Sequence, residues 1–383
     1  MPAPGLYLHV PFCSAICPYC DFAVRTGGRE RRARFVEHLL EEIELWSEKP
    51  PALAGFDTVY LGGGTPSCLL PEELARVLAA AFAQLGIATG ARVFLEANPE
   101  DVNPAALAAW RDLGVATLSL GVQSFAPEEL AFLGRRHDAR QARRSVELAL
   151  AAGFETVSID LIYGLPWQAP STWRRTLDGA IQLAPHHLSC YQLTFHEGTP
   201  FGARRARGAL AELAEPAQAE LFALTHAVLA DAGYPAYEVS SFARAPEHRS
   251  RHNRKYWDHT PYLGLGPSAH SFDGRRRWWN ERGLDAWERR VAAGERPLAG
   301  SEELGRTELA LEALLLGLRT AEGVDLAVLR RRYGVDLSAA NGPLLARLAA
   351  DGLAALAGGR LVPSPAGLAV ADGLAAAFVL DAA

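Results

Sequence analysis

Hydrophobic and polar positions along the first 240 residues follow two alternating periods. Short runs rich in β-branched and aromatic residues, as expected for strands, are separated by longer stretches whose apolar residues recur at helical spacing. This alternation is typical of repeated βα units around a parallel sheet, and we count at least six units. We predict strands at residues 6–10, 58–61, 92–95, 117–120, 156–162 and 187–193. We predict helices at residues 31–46, 71–85, 104–113, 139–152, 171–183 and 216–232.

The pattern changes in the last third of the chain. Residues 241–279 show no regular period and are rich in arginine, histidine and aromatic residues, so we predict an irregular segment that faces a substrate or a docking partner. From Ser301 leucine and alanine dominate, and we predict helices at residues 302–319, 326–333 and 344–351, then a small hairpin at residues 360–363 with Ala369. The sequence therefore predicts a βα domain (1–240), a connecting segment (241–300) and a mainly helical, winged-helix-like domain (301–383).

Composition narrows the class of protein. The chain has 383 residues, of which 49% are hydrophobic and 21% charged, and this balance is that of a soluble globular protein of two or three domains. No apolar run approaches the roughly 20 residues that cross a bilayer, and no signal region opens the chain, so we expect a cytoplasmic protein. A net charge of −6 disfavours broad capture of nucleic acid, and we expect no nucleic-acid partner.

Three of the five cysteines, Cys13, Cys17 and Cys20, lie in one short loop after the first predicted strand. A structural zinc ion needs a fourth ligand; His9 is the nearest candidate, but we expect it to point away, and no second CxxC pair exists. A [4Fe–4S] cluster held by three thiolates instead leaves one iron open for a small molecule with amino and carboxylate groups. The ligand indicated is S-adenosylmethionine, whose carbon–sulfur bond breaks when the cluster donates one electron.

Polar residues and a glycine turn follow the next predicted strands. A Gly62-Gly63-Gly64-Thr65 turn comes after the second strand, Glu96 after the third and Gln123 after the fourth, and Asp160 lies in the fifth. Because the carboxyl ends of parallel strands meet at one face of a βα barrel, residues distant in sequence can surround one ligand there. Each residue alone would more often be a cap or a turn residue, but together they predict a cofactor site.

The cysteine loop, with the aromatic Tyr19 before its last cysteine, resembles the signature of the radical S-adenosylmethionine superfamily. The whole series of motifs is similar to the coproporphyrinogen III oxidase-like branch of that superfamily. The resemblance implies a partial (β/α)6 barrel followed by the helical domain, with a [4Fe–4S] cluster on Cys13, Cys17 and Cys20. It also implies eight contacts to S-adenosylmethionine, in which the neighbouring Arg136 is an alternative to Arg135: Tyr7, Tyr19, Gly64, Thr65, Glu96, Gln123, Arg135 and Asp160.

Three features separate the functions known in this branch, which are the oxygen-independent oxidase and the HemW heme chaperones. The oxidase pattern has a cysteine where this chain has Phe22, and a longer extension than the twelve residues before Cys13. The segment His252-Asn253-Arg254-Lys255-Tyr256-Trp257 matches the HNxxYW motif of the chaperones. A histidine can ligate heme iron and aromatic rings can cover a porphyrin, although by itself His252 would be interpreted as structural.

The resemblance therefore implies a heme chaperone that carries heme, with His252 as its candidate ligand, to an acceptor such as a membrane respiratory protein. Two alternatives stay open. One is an oxidase that decarboxylates the propionates of coproporphyrinogen III, and the other is a radical enzyme with an unrelated substrate. Whether the chain is an enzyme, and whether it forms a homodimer, is left open by the sequence.

Overall fold

In the computed structural model, residues 2–48 and 53–380 are described. They form one sheet of eleven strands and one of three. The large sheet contains β1 (Gly5–Val10), β2 (Phe56–Gly63), β3 (Ile87–Ala97), β4 (Val115–Gln123), β5 (Thr156–Tyr163), β6 (His187–Gln192), β7 (Ser241–Ala243), β8 (Tyr262–Leu265), β9 (His270–Phe272), β10 (Arg276–Asn280) and β11 (Leu298–Glu303). The small sheet contains β12 (Val324–Asp325), β13 (Ala354–Ala357) and β14 (Arg360–Pro363).

Helices cover the large sheet and build the C-terminal part. The α-helices are α1 (Arg29–Glu48), α2 (Pro71–Gln84), α3 (Pro104–Asp112), α4 (Pro127–Phe132), α5 (Ala139–Ala152), α6 (Pro170–Leu183), α7 (Pro200–Ala206), α8 (Glu215–Asp231), α9 (Arg251–Trp257), α10 (Leu284–Ala292), α11 (Arg306–Gly317), α12 (Leu326–Tyr333), α13 (Leu337–Ala340), α14 (Gly342–Ala350), α15 (Pro365–Ala369) and α16 (Ala371–Ala376). Short 3-10 helices span Pro66–Cys68, Pro99–Asp101 and Pro246–His248. None of the helices in the described residues is both long and apolar enough to cross a bilayer.

Strands β1 to β6 lie side by side in chain order and are all parallel. This order arises when each strand is followed by a helix that crosses back over the same face of the sheet. Strand β8 pairs parallel with β1, and β7 pairs antiparallel with β6. The described strands do not close the ring between β7 and β11, so the predicted partial (β/α)6 barrel is confirmed.

Helix α1 shows how the helices attach to the sheet. Its buried apolar residues Phe35, Val36, Leu39, Ile43 and Trp46 recur at intervals that place them on one face. Each such side chain contributes about 1.5–3 kcal/mol when it leaves water. The helix is therefore fixed rigidly against the strands whose ends carry the polar residues.

Three predictions for the last third of the chain are wrong. Residues 241–279 are not irregular, because they contain β7 to β9, α9 and most of β10, which are short elements paired with distant strands. The predicted helix 302–319 begins only at Arg306, since Glu302 and Glu303 belong to β11. The hairpin is formed by β13 and β14, and Ala369 lies in α15. Short strands of this kind have too few residues for a two-residue period to be visible.

A second apolar core lies in the C-terminal part, around Leu314 of α11, Leu318 just after that helix, Leu329 of α12, Leu348 of α14 and Leu374 of α16. The helices pack against the three-stranded sheet, in which β14 lies between β12 and β13. This arrangement matches the predicted mainly helical C-terminal part with a hairpin wing.

Candidate functional site

The three clustered cysteines lie on the loop between β1 and α1. Its two sides are tied together, because the Cys13 amide donates to the Arg25 carbonyl at 3.0 Å and the Arg25 amide donates to the Pro11 carbonyl at 2.8 Å. All three thiols are free and half-buried. Burial raises the pKa of Cys13 and of Cys20 to about 11. Both thiols are therefore protonated at neutral pH in this state, and a metal centre must displace their protons to bind them.

The glycine turn after β2 holds this loop in place. The amides of Gly64 and Thr65 donate to the carbonyls of Val10 and Phe12 at 2.8 and 2.7 Å. A Cβ atom on Gly64 would lie 2.6 Å from the Phe12 carbonyl oxygen, closer than real Cβ contacts allow. The Thr65 hydroxyl also lies 3.5 Å from the Cys13 sulfur. Only glycine lets the turn approach the cysteine loop so closely.

Two carboxylates, Glu96 of β3 and Asp160 of β5, line the same cavity, although β4 lies between their strands. Glu96 accepts hydrogen bonds from the Tyr60 hydroxyl at 2.7 Å and from the Gly63 amide at 3.1 Å. Burial, with the nearby charge of Asp160, raises the pKa of Glu96 to about 7. Burial also raises the pKa of Asp160 to about 6, against the stabilising hydroxyls of Ser189 and Ser119. The pair can hold a cationic group, and it changes charge near neutral pH.

Of the two adjacent arginines, Arg135 and Arg136, it is Arg135 that lies at the cysteine loop. Its Nη1 lies 3.3 Å from the Cys17 sulfur, and its Nη2 donates to Asn98 Oδ1 at 2.6 Å and to the Gly121 carbonyl at 2.9 Å. Arg136 is exposed and makes none of these contacts. Asn98, which the sequence analysis did not single out, orients the guanidinium; its position two residues after Glu96, at the end of β3, was the available signal.

Two buried polar atoms at this site have no partner among the described residues, namely Gln123 Oε1 and Arg135 Nε. Gln123 also has a φ angle of 67°, a left-handed conformation that is uncommon for a residue with a side chain. Unpaired buried polar atoms and strained backbone are typical of ligand sites. The donors, acceptors and thiols therefore fit a polar ligand next to a metal centre.

The structure brings most of the predicted residues around one cavity of about 410 Å³ at the carboxyl ends of the strands. A volume of this size is in the range of small-molecule sites, roughly 300–1,000 Å³. Tyr7 does not line it, since its ring stacks on Tyr60 at 6.1 Å behind Glu96. The predicted residues that do line it are Cys13, Cys17, Tyr19, Cys20, Gly64, Thr65, Glu96, Gln123, Arg135 and Asp160.

His252 lies apart from this cavity, on the wall of a second cavity of about 520 Å³. Its side chain is buried, with Nδ1 2.9 Å from the Thr58 hydroxyl and Nε2 3.0 Å from the Tyr256 hydroxyl. Burial, with a smaller effect of the nearby Lys255 charge, lowers the pKa of His252 to about 3. An iron ion could reach either nitrogen only after a hydrogen bond breaks, so heme ligation by His252 stays a prediction.

Comparison with known proteins agrees with this geometry. The radical SAM superfamily model matches residues 7–179, and the HemN C-terminal domain model matches residues 304–370. The chain is 39% identical over 371 residues to the heme chaperone HemW of Mycobacterium tuberculosis (strain ATCC 25618 / H37Rv). This match spans 96% of this chain and 93% of that protein. The chain is 36% identical over 274 residues to HemW of Escherichia coli (strain K12), with 70% of each chain covered.

A solved structure has the same fold. Coproporphyrinogen III oxidase (HemN) from Escherichia coli superposes with a TM-score of 0.83 and covers 98% of this chain and 89% of that one. The sequence identity is 24%, so the likeness establishes the architecture of the barrel and of the C-terminal part.

Proposed function

Because the chain belongs to the HemW family of the radical S-adenosylmethionine superfamily, we propose that it is a heme chaperone that binds heme and passes it to an acceptor protein. The observation that carries this proposal is the near full-length similarity to proteins named heme chaperones. Phe22 supports it from the residues: it stands where the oxidase pattern has a cysteine, and 62% of its surface is exposed beside the cluster loop.

We propose that Cys13, Cys17 and Cys20 hold a [4Fe–4S] cluster and that the adjoining cavity holds S-adenosylmethionine. When bound, these groups supply one-electron chemistry. Around them the chain provides fixed contacts. The Glu96 carboxylate faces the space where a ligand amino group can donate a hydrogen bond, and the Arg135 guanidinium suits a carboxylate. Tyr19, Gly64, Thr65, Gln123 and Asp160 complete the wall of the cavity.

Tyr7 has a different role in this proposal from the direct contact that the family resemblance implies. Its ring stacks on Tyr60, and the Tyr60 hydroxyl donates to Glu96. Tyr7 therefore positions Glu96 through Tyr60. Its own hydroxyl lies 3.0 Å from His9 Nδ1, and His9 Nε2 lies 3.1 Å from the Ala23 carbonyl, which links the first strand to the segment after the cysteines.

The acceptor proposed is a membrane respiratory protein, and self-association into a homodimer is a second proposed contact. The exposed apolar side chains of Ile16 and Phe22 lie on the cysteine loop, at 49% and 62% exposure. A partner that receives heme has to approach the protein, and this loop offers apolar contact beside the cofactor cavity.

The test distinguishes heme binding and transfer from decarboxylation of coproporphyrinogen III. The full chain is reconstituted with its cluster without oxygen and given S-adenosylmethionine, a reductant and coproporphyrinogen III, beside a genuine oxidase as positive control. We expect no decarboxylated tetrapyrrole from this protein, together with stoichiometric heme binding and transfer of that heme to an apo-acceptor. Product at a rate near that of the oxidase would overturn the proposal. Formation of 5′-deoxyadenosine with unchanged tetrapyrrole would instead indicate a radical enzyme with another substrate.

A further inference from the structure

A third cavity, of about 490 Å³, lies between the antiparallel strands β8–β10 and helix α11. Cross-strand pairing places one set of side chains on the face of the sheet that bounds it. His270 pairs with Trp279, and Phe272 pairs with Arg277 and with Tyr262. Because paired residues point to the same face of a sheet, these five side chains form one wall.

Aromatic and aliphatic groups dominate the two sides of this cavity. The Trp279 indole is stacked on the His270 imidazole at 5.9 Å and lies against Gly300, where a Cβ would come within 2.6 Å of the ring. Opposite, Leu315 and Leu316 of α11 are only half-buried. The space is therefore flanked by flat rings on one side and by aliphatic groups on the other, which suits a large planar apolar ligand.

His270 is unlike every other histidine of the chain. All eleven lie in the described residues, and among them His270 alone makes no hydrogen bond or ion pair to a described residue through either ring nitrogen. Burial, with the nearby charge of Arg277, lowers the pKa of His270. A neutral imidazole with a free nitrogen is the form that binds iron.

The other histidine of this cavity is held differently. His259 Nδ1 lies 3.0 Å from the Tyr333 hydroxyl, and its Nε2 lies 3.1 Å from Glu312. Both of its nitrogens are engaged, as are those of His252 in the neighbouring cavity. A metal in the third cavity can therefore bind His270 without breaking a hydrogen bond of the folded chain.

Charge at the cavity indicates how a ligand is selected. Arg277 donates to Glu312 at 2.6 Å and to Glu302 at 3.3 Å, so its charge is already balanced by carboxylates. Apart from the two histidines, Arg277 is the one basic side chain among the described residues that line the cavity. Recognition through ligand carboxylates is consequently weak here, and ring contact and iron ligation have to provide the affinity.

We propose that this cavity binds iron porphyrin, with His270 as the axial ligand and Trp279 beside it. The proposal rests on the proposed heme-carrier function and assigns that function's cargo to a cavity separate from the cofactor site and from His252.

The experiment compares His270→Ala with His252→Ala in the cluster-reconstituted full chain. Each protein is titrated with ferric heme while the Soret band and the electron paramagnetic resonance of the heme are recorded. We expect His270→Ala to bind heme roughly tenfold more weakly or worse, as for loss of one anchoring contact. We expect it to lose the signature of histidine ligation and to regain that signature with added imidazole. His252→Ala is expected to keep the wild-type spectrum.

Two results would overturn the site and leave the carrier function standing. One is wild-type affinity and spectrum in His270→Ala, and the other is equally tight binding of iron-free protoporphyrin by the wild type. Absence of any heme binding by the wild type would overturn the carrier function itself. Because the His270 side chain is exposed, its removal is not expected to unfold the chain, and a thermal melt checks this.

Discussion

Arg135 places its Nη1 atom 3.3 Å from the sulfur of Cys17, although the two residues are 118 positions apart in the chain. The same guanidinium is fixed by Asn98 and by the Gly121 carbonyl, and its buried Nε has no partner among the described residues. One buried cation is thus shared by the cysteine loop and the adjoining ligand cavity. Changes at this residue should affect both.

The first prediction concerns this arginine and its neighbour. Arg135→Gln should weaken S-adenosylmethionine binding by about 10- to 100-fold, because a charge-assisted hydrogen bond contributes about 1.5–3 kcal/mol. Arg136→Gln is the matched control and should bind as the wild type does, since Arg136 is exposed. Calorimetric titration of the cluster-reconstituted proteins measures both affinities. Equal losses of S-adenosylmethionine affinity in the two variants would show that the total charge of the protein, and not a contact made by Arg135, causes the effect.

The second prediction is a pH dependence set by Glu96, whose pKa burial raises to about 7. The amino group of the ligand donates a hydrogen bond to the ionised carboxylate, so the affinity for S-adenosylmethionine should increase as pH rises from 6 to 8. Below the pKa the gain should approach roughly tenfold per pH unit. Glu96→Gln should bind weakly with little dependence on pH over this interval.

The variant Asp160→Asn tests how the charge of Asp160 affects the pH dependence that Glu96 sets. The charge of Asp160 contributes to the raised pKa of Glu96, so its removal should move the midpoint of the pH profile downward. The profile is obtained from dissociation constants measured at closely spaced pH values in one buffer series. An unchanged midpoint would mean that burial alone sets the pKa of Glu96.

The third prediction concerns a buried carboxylate away from the cofactor cavity. Glu42 of α1 accepts hydrogen bonds from the Gly266 amide at 2.7 Å, from Asn280 Nδ2 at 2.7 Å and from Trp287 Nε1 at 3.1 Å. Truncation by Glu42→Ala leaves the Gly266 amide and the Trp287 Nε1–H without this acceptor, while Asn280 Nδ2 keeps only the Gly266 carbonyl at 2.9 Å. We expect this variant to lower the free energy of unfolding by about 2–4 kcal/mol, measured by urea denaturation.

The same residue should give stability a pH dependence. Burial raises the pKa of Glu42 from 4.5 to about 7 in the folded chain, so the folded state holds more protons than the unfolded state between these values. The contribution of Glu42 is therefore fully present below pH 4.5 and is lost as pH rises through about 7. Glu42→Gln should flatten this part of the stability profile, and a profile parallel to the wild type would remove Glu42 as its cause.

The sequence predicts the six parallel strands and the residues at their ends, because βα units have long elements with clear periods. It could not predict that β8 to β11 extend the sheet beyond β1. These strands have three to six residues, and their partners are set by long-range pairing that no local pattern reveals. The cavity beside His270 depends on that extension, and so no local pattern in the sequence indicates a role for His270.

Most residues of the candidate cofactor site could be predicted from the sequence. Glycine at position 64 and a carboxylate at position 96 follow strands whose carboxyl ends must meet. The location of Tyr7 behind Tyr60, and the burial of both nitrogens of His252, depend on side-chain packing inside the barrel. Motif and spacing cannot distinguish a residue that touches a ligand from one that supports its neighbour.

The fourth prediction concerns the close approach of the glycine turn to the cysteine loop. Gly64→Ala adds a methyl group 2.6 Å from the Phe12 carbonyl oxygen and 2.9 Å from that of Val10, and both obstacles are backbone atoms. The turn must move away from the loop, which lengthens the hydrogen bonds of Gly64 and Thr65. We expect a loss of about 1–3 kcal/mol in stability from such overpacking and a reduced iron content after reconstitution.

Gly28 offers the matched control for this substitution, because it lies beside the same loop at the start of α1. A Cβ atom there would meet nothing within 4 Å, and its backbone is not in the left-handed region. Gly28→Ala should therefore retain wild-type iron content, cofactor affinity and melting temperature. If Gly64→Ala also assembled a full cluster with unchanged affinity, the loop would have to tolerate a displaced turn, and the close packing would not be what orients the thiols.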